Sequence, residues 1–321
     1  MVDRYVLVDT DTGVDDALAL LTIAHDPCAE IIGVGSVFGN CTETQAASNA
    51  LTVLSVVGLR DVPVCIGLPR PGPPPATPSA HGVDGLGDRG HRPPPGIGPA
   101  SGSAVEQLFR AAEDRPGSVD LLCLGPLANI AAAVTRDPQI LTRFRSVTIM
   151  GGMGSASRRS AEAALQPQFL GKGDTNTNHD PAATATVAAA PGPITWVGTN
   201  VTGRLRLTWA DLVARSASGK VAAFVRDITE DYHRYCTSTY RAEHPIYTSH
   251  DSVAAAVMLD PTVVLSATDA QPRVHRVDGR SSVWGVTPAR GPVHRFVTDV
   301  DYRLIRDRIA ATLDADISRS D

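Results

Sequence analysis

Lysine is almost missing from this chain: among its 29 lysine and arginine residues, only Lys172 and Lys220 are lysines. Set against 34 aspartates and glutamates, the formal net charge is −5. No basic excess exists to neutralise a phosphate backbone, which excludes a nucleic-acid-binding role of the usual electrostatic kind. The preference for arginine over lysine is a compositional habit and carries no function. Cysteine is scarce and unpatterned. Cys28, Cys41, Cys65, Cys123 and Cys236 are odd in number, widely spaced and without a C-x-x-C pair, so neither a disulfide framework nor a zinc site is expected. Long apolar runs are lacking too. The most apolar stretch, residues 121–134, is interrupted by Gly125, Pro126 and Asn129 and is too short to cross a bilayer. Asp3 and Arg4 precede only a few apolar residues, which does not read as a signal peptide. A soluble protein in a reducing, cytoplasmic setting is the expectation.

What is present points to a layered α/β fold. At 321 residues with 43% hydrophobic content, the chain can bury a full core without covalent staples. Residues 5–8, 31–37, 119–124, 146–150 and 194–197 read as short buried strands. Residues 16–24 and 43–57 place leucines and alanines at helical spacing. Strands alternating with helices predict an open, Rossmann-like α/β architecture, a mostly parallel central sheet flanked by helices. Sites in such folds collect beyond the carboxyl ends of the strands. No repeat or change in composition divides the chain, so residues 1–321 are taken as one domain.

Residues 68–99 break the pattern, with runs such as PRPGPPPATPSAHG and HRPPPGIGP that suit neither helix nor central strand. Composition alone is equally consistent with a surface linker and with an ordered loop over a site. The segment His81-Gly82-Val83-Asp84-Gly85-Leu86-Gly87-Asp88 within it favours a lid.

The strongest signal is Asp9-Thr10-Asp11-Thr12-Gly13-Val14-Asp15-Asp16, which joins the first strand to the first helix. Acidic residues are stabilised by about 0.3–1 kcal/mol in the first turn of a helix. That accounts for Asp15 and Asp16, but Asp9 and Asp11 precede the turn. Two unit charges 4 Å apart repel by about 1 kcal/mol in water and about 4 kcal/mol at an effective dielectric near 20. Gathering several under a lid therefore calls for a cation or shared protons. A hard divalent ion fits, and several fixed carboxylates with further protein oxygens suit calcium better than magnesium.

This octad resembles the D-x-D-x-x-x-D-D signature of the nucleoside hydrolases of the inosine–uridine-preferring type. Further segments are similar to that family in the same order. They are Gly33 to Asn40 after the second strand, His81-Gly82-Val83-Asp84-Gly85, Leu124-Gly125-Pro126-Leu127-Ala128-Asn129, Asp174-Thr175-Asn176 with Asp180-Pro181, Ser249-His250-Asp251, and Val297-Thr298-Asp299-Val300-Asp301. The resemblance runs from residue 9 to residue 301 and implies hydrolysis of a ribonucleoside N-glycosidic bond to ribose and free base. It implies Asp11, Asp16, the Leu124 carbonyl and Asp251 as calcium ligands, with Asp11 also the general base. It implies Asp15, Asn40, Asp174 and Asn176 as ribose ligands, His250 as general acid toward the leaving base, and His81 as a second contact from the lid. It implies a homo-dimer or homo-tetramer. The residue types suit the chemistry: carboxylates favour the cationic, oxocarbenium-like ribose, and histidine exchanges protons near neutrality.

Three features depart from the family pattern. Asp174 stands where glutamate is common, one methylene shorter. The stretch after Gly151-Gly152 is long and carries Arg158, Arg159, Gln166, Gln168 and Lys172, candidates either for a 5′ substituent or for a solvated loop. Tyr232, Tyr235, Tyr240 and Tyr247 crowd the segment before His250, as candidate base contacts or as core. Two rival readings remain. One is a haloacid-dehalogenase-type phosphatase, weakened by the order Thr12-Gly13 and by the shortage of lysine. The other is a non-catalytic nucleoside- or sugar-binding relative, weakened by the presence of Asp11, Asp16 and His250 together.

Overall fold

The computed structural model describes residues 3–70, 80–157, 174–217, 219–277, 279–287 and 289–315. Its first strand, β1 (Arg4–Thr10), is buried along most of its length. Val6 and Val8 enter one apolar core while Leu7 enters the other, the two-residue alternation of a strand covered on both faces. β1 pairs in parallel with β2 (Ala29–Ser36) on one side and β4 (Val119–Cys123) on the other. Outside β2 lies β3 (Val64–Cys65). Outside β4 lie β5 (Ser146–Met150), β7 (Ile194–Val197) and β12 (His294–Val300), all parallel. The sheet continues through β10 (Val264–Val277) and β11 (Arg280–Thr287), which are antiparallel, and closes on β6 (Ser155–Ser157). The strand order is β3-β2-β1-β4-β5-β7-β12-β10-β11-β6.

Helices cover both faces. On one, α1 (Val14–His25), α2 (Glu43–Val56), and the helices His250–Leu259 and Tyr302–Leu313 pack around Leu18, Leu20, Leu21 and Leu54. On the other, α3 (Ala104–Asp114), α4 (Ala128–Arg136) and the helix Pro181–Ala188 pack against Leu121, Ile149 and Trp196. The helix starts are sealed locally. Thr42 accepts from the Gln45 amide at 3.2 Å and Ser249 from the Ser252 amide at 3.1 Å. Asp180 and Asp301 cap the helices that follow them.

The order of strands places the site. The chain runs outward from β1 through β2 and β3, then returns to start β4 on the opposite side of β1. The carboxyl ends of β1 and β4 therefore flank a crevice at the point where the winding reverses, the place where open α/β sheets bind ligands. Residues 9–16 leave β1 there, and Leu124 follows β4.

Candidate active site

Thr10 ends β1 and Val14 begins α1, so three residues make the turn. Thr12 adopts φ +26°, an unfavourable conformation for a β-branched residue. The neighbourhood holds it there: its amide donates to Thr10 Oγ1 at 3.0 Å, and its carbonyl accepts from Asn49 Nδ2 at 3.0 Å. Backbone strain of this kind persists where surrounding contacts over-determine it, commonly at functional sites.

The turn buries four carboxyl groups. Asp16 accepts from Thr10 Oγ1 at 2.5 Å, the Gly13 amide at 2.9 Å and Asn40 Nδ2 at 3.2 Å. Asp11 Oδ2 accepts from the Asn40 amide at 2.7 Å. Asp15 Oδ2 accepts from the His250 amide at 3.1 Å, which ties α1 to the helix His250–Leu259. Asp251, on that helix, completes the group. Ligand oxygens of Asp15, Asp16 and Asp251 lie within 4.8 Å of one another, and all three residues are buried. Burial, followed by the charge of Asp16, pushes the Asp11 carboxyl well above the usual range. Burial also raises Asp15 and Asp16, and Asp251 is raised well above by burial and then by Asp15, Asp16 and Asp11. Like charges are thus packed out of water, and among the described residues no lysine or arginine pairs with them. This is a donor set of hard oxygens that accommodates a divalent metal ion.

The remaining residues singled out in the sequence gather around this cluster. Asn40 bridges Asp11 and Asp16. His81 reaches over from the proline-rich segment, where its Nδ1 accepts from the Val14 amide at 3.0 Å and its ring lies 4.8 Å from that of Tyr232. With Nδ1 serving as acceptor and burial lowering its pKa to about 4, His81 is neutral, so its 3.6 Å approach to Asp15 is not an ion pair. The loop is fastened again where Asn49 Nδ2 donates to the Asp84 carbonyl at 2.7 Å. Asn176 donates to the Leu124 carbonyl at 2.6 Å. Asp174 is used by its own chain: it accepts from the Gly152 amide at 2.6 Å and Thr177 Oγ1 at 2.5 Å, and caps the helix Thr175–His179. Of the tyrosines, Tyr232 and Tyr247 are buried and Tyr235 is exposed, while Tyr240 places its hydroxyl 3.3 Å from His250 Nε2. The sequence candidates Arg158, Arg159, Gln166, Gln168 and Lys172 lie outside the described residues.

Several participants escaped sequence reasoning. Thr202 sets its hydroxyl 2.8 Å from His250 Nδ1, although 48 residues separate the two. Nothing local marks it. Asn129, quoted only as part of a motif, donates to Asp9 Oδ2 at 2.7 Å and to the Ser36 carbonyl at 2.9 Å, and accepts from the Leu68 amide at 2.8 Å. It thereby joins the ends of β1 and β2 to the root of the proline-rich segment. Thr10, the nearest donor to Asp16, was visible only as a spacer between aspartates.

Buried carboxylates at a strand-order reversal, with a histidine and amides around them, define a hydrolase-type crevice in an open α/β sheet. The chain belongs to the inosine-uridine preferring nucleoside hydrolase family, whose model matches residues 6–307. Members hydrolyse the N-glycosidic bond of nucleosides. The chain is 30% identical over 263 residues to a probable uridine nucleosidase 2 of Oryza sativa subsp. japonica, covering 81% of this chain and 75% of the relative. It is 31% identical over 268 residues to an inosine-uridine preferring nucleoside hydrolase of Leishmania major, covering 81% and 80%. A solved plant nucleoside hydrolase superposes with a TM-score of 0.85 over 98% of this chain and 99% of its own, at 23% identity, a likeness of fold. The phosphatase alternative has no support in these relationships.

Proposed function

We propose that the protein hydrolyses a ribonucleoside to ribose and free base at this crevice, with calcium as its metal ion. The observation that carries the reading is the buried triad Asp15, Asp16 and Asp251, whose ligand oxygens converge within 4.8 Å beside Asp11. The reading assigns Asp11, Asp16, Asp251 and the Leu124 carbonyl to the ion. Asp15, the third member of the triad, is given to the ribose hydroxyls together with Asn40 and Asn176. When bound, the ion supplies a lowered pKa to a coordinated water and a fixed point for the sugar hydroxyls.

The chain's own groups do the rest. Asp11 takes a proton from the attacking water, whose oxygen forms the new bond to C1′. The C1′–N bond breaks, its electron pair goes to the base, and His250 delivers a proton there. The positive charge that develops on the ribose ring faces the carboxylates, which stabilise it. His81, its ring 4.8 Å from that of Tyr232, flanks the turn and contacts the substrate from the lid. Asp174, committed to Gly152 and Thr177, positions Asn176 through the helix it caps. The reading extends to a cytoplasmic homo-dimer or homo-tetramer; free cysteines and the lack of a membrane-spanning helix among the described residues are consistent with that setting.

The test is a panel of purine and pyrimidine nucleosides assayed for reducing sugar, run with the wild type and Asp11→Asn. Wild-type release of ribose and a loss of at least about a hundredfold in kcat for the variant are expected. Undiminished turnover in Asp11→Asn would remove it from the general-base role.

A further inference from the structure

Asp15 accepts from the His250 backbone amide, and against Tyr240, whose hydroxyl meets the His250 ring, stands a cation with no task in the scheme above. Arg206 follows the short helix Thr199–Thr202 and is half-buried. Its guanidinium lies over the ring of Tyr240, 3.8 Å from the centroid. One of its nitrogens, Nη1, donates to the carbonyls of Gly203 and Leu205. Its neighbour Arg204 is paired with Asp299 at 3.0 Å, whereas Arg206 makes no ion pair among the described residues. An arginine drawn partly out of water and given an aromatic face in place of a carboxylate keeps its charge available to whatever lies beyond the ring. Beyond this ring lies the Tyr240 hydroxyl, 3.3 Å from His250 Nε2, with Thr202 Oγ1 holding the opposite ring nitrogen at 2.8 Å.

Heterolysis of the C1′–N bond separates charge, leaving the sugar positive and the base negative. The site holds charge of both signs: the buried carboxylates, and Arg206 behind the Tyr240 ring whose hydroxyl meets His250. We propose that Arg206 is a positioning residue for departure of the base, fixing the Tyr240 phenol against His250 and supplying the positive pole that offsets charge building on the leaving group. Its importance then rises as the leaving base becomes a poorer anion, and it selects in favour of nucleosides whose bases carry that charge on ring nitrogens and carbonyl oxygens. The inference rests on the reading of His250 as the group that faces the base.

The experiment compares calcium-loaded wild type with Arg206→Met on uridine, inosine and p-nitrophenyl riboside, whose leaving group needs no proton. The expected result is a fall of about tenfold in kcat on the nucleosides, with KM little changed and p-nitrophenyl riboside turned over at close to the wild-type rate. Tyr240→Phe keeps the ring beneath the guanidinium and removes only the hydroxyl, and should show the same selective loss. It also serves if Arg206→Met fails to fold. Equal losses on all three substrates, or a change confined to KM, overturn the proposal. His250→Ala in the same assays separates the two levels of the argument. If it spares p-nitrophenyl riboside while Arg206→Met and Tyr240→Phe do not, the role of Arg206 alone is refuted. If His250→Ala hits every substrate equally, the general-acid reading fails and this inference falls with it.

Discussion

Gly39 offers the sharpest probe of Asp11, the proposed general base, because it tests position without changing the carboxylate itself. A Cβ added there would meet Asp11 Oδ2 at 1.9 Å, its Cγ at 2.7 Å and its Cβ at 2.8 Å. The glycine backbone is not in the left-handed region, so alanine brings no torsional penalty and the collision is the whole effect. Asp11 cannot turn aside without cost, since Oδ2 is held by the Asn40 amide at 2.7 Å. The carboxylate must retreat by more than an ångström and lose that hydrogen bond. A hydrogen bond to a charged group is worth about 1.5–3 kcal/mol, and a 1 Å misplacement of a reacting group costs on the order of a hundredfold in rate. Gly39→Ala should therefore lose about a hundredfold in kcat, and about 1–3 kcal/mol of stability from overpacking. Steady-state kinetics on uridine or inosine and a thermal melt measure both. Gly58→Ala is the control: its φ is +78° with nothing within 4 Å of the new Cβ, so it should cost about 1 kcal/mol of stability and leave kcat alone. Wild-type turnover in Gly39→Ala would refute the claim that catalysis depends on Asp11 standing where the structure holds it.

Other outcomes follow from the same electrostatics. Exhaustive chelation should abolish turnover and lower Tm, with calcium restoring both. At a hundredfold excess over Kd the ion contributes about 2.7 kcal/mol, and activity surviving chelation would remove the metal from the scheme. His179 supplies a pH dependence of its own. Burial, and then the Arg70 guanidinium at 2.8 Å, lower its pKa from 6.5 to about 4. The folded state thus favours the neutral ring, while the unfolded chain takes up a proton below about pH 6.5. Stability is present above pH 6.5 and falls by at most about 1.4 kcal/mol per unit as pH drops toward 4. His179→Gln should flatten the Tm profile over that window, and an unchanged slope would show that the ring does not titrate in this way.

β1, β2, β4, β5 and β7 were legible in the sequence because they are buried on both faces, whereas β3 and β12, in the same parallel half, were not named as strands. Continuous apolar runs such as Val6-Leu7-Val8 and Leu121-Leu122-Cys123 have no other economical reading, and the helical spacing of Ala46, Ala47, Ala50, Leu51 and Leu54 matched α2 to within a residue. The antiparallel extension β10–β11 was not legible. Along β10, Ser266, Thr268, Asp269, Gln271, Arg273 and His275 leave too few apolar positions to mark a strand; its partners β12 and β11 define it. The same division holds within the site. The aspartates announced themselves by crowding into eight residues. Their supports Thr202 and Asn129 did not, because they come to the site from separate helices. Only the closed sheet brings Thr202 against a histidine 48 positions away.

The supports also suit the different tasks proposed for the carboxylates of one short turn. Asp16 receives three donors, from Thr10, Gly13 and Asn40, which favour its charged form and fix both oxygens, as a metal ligand requires. Asp11, equally buried, has the Asn40 amide at one oxygen, and burial followed by the charge of Asp16 raises it well above the usual carboxylate range. In the proposed scheme Asn40 is the common element: its amide holds Asp11, the proposed base, while its side chain holds Asp16, the proposed metal ligand. Removing the side chain alone should therefore disturb metal affinity before it disturbs the proton transfer.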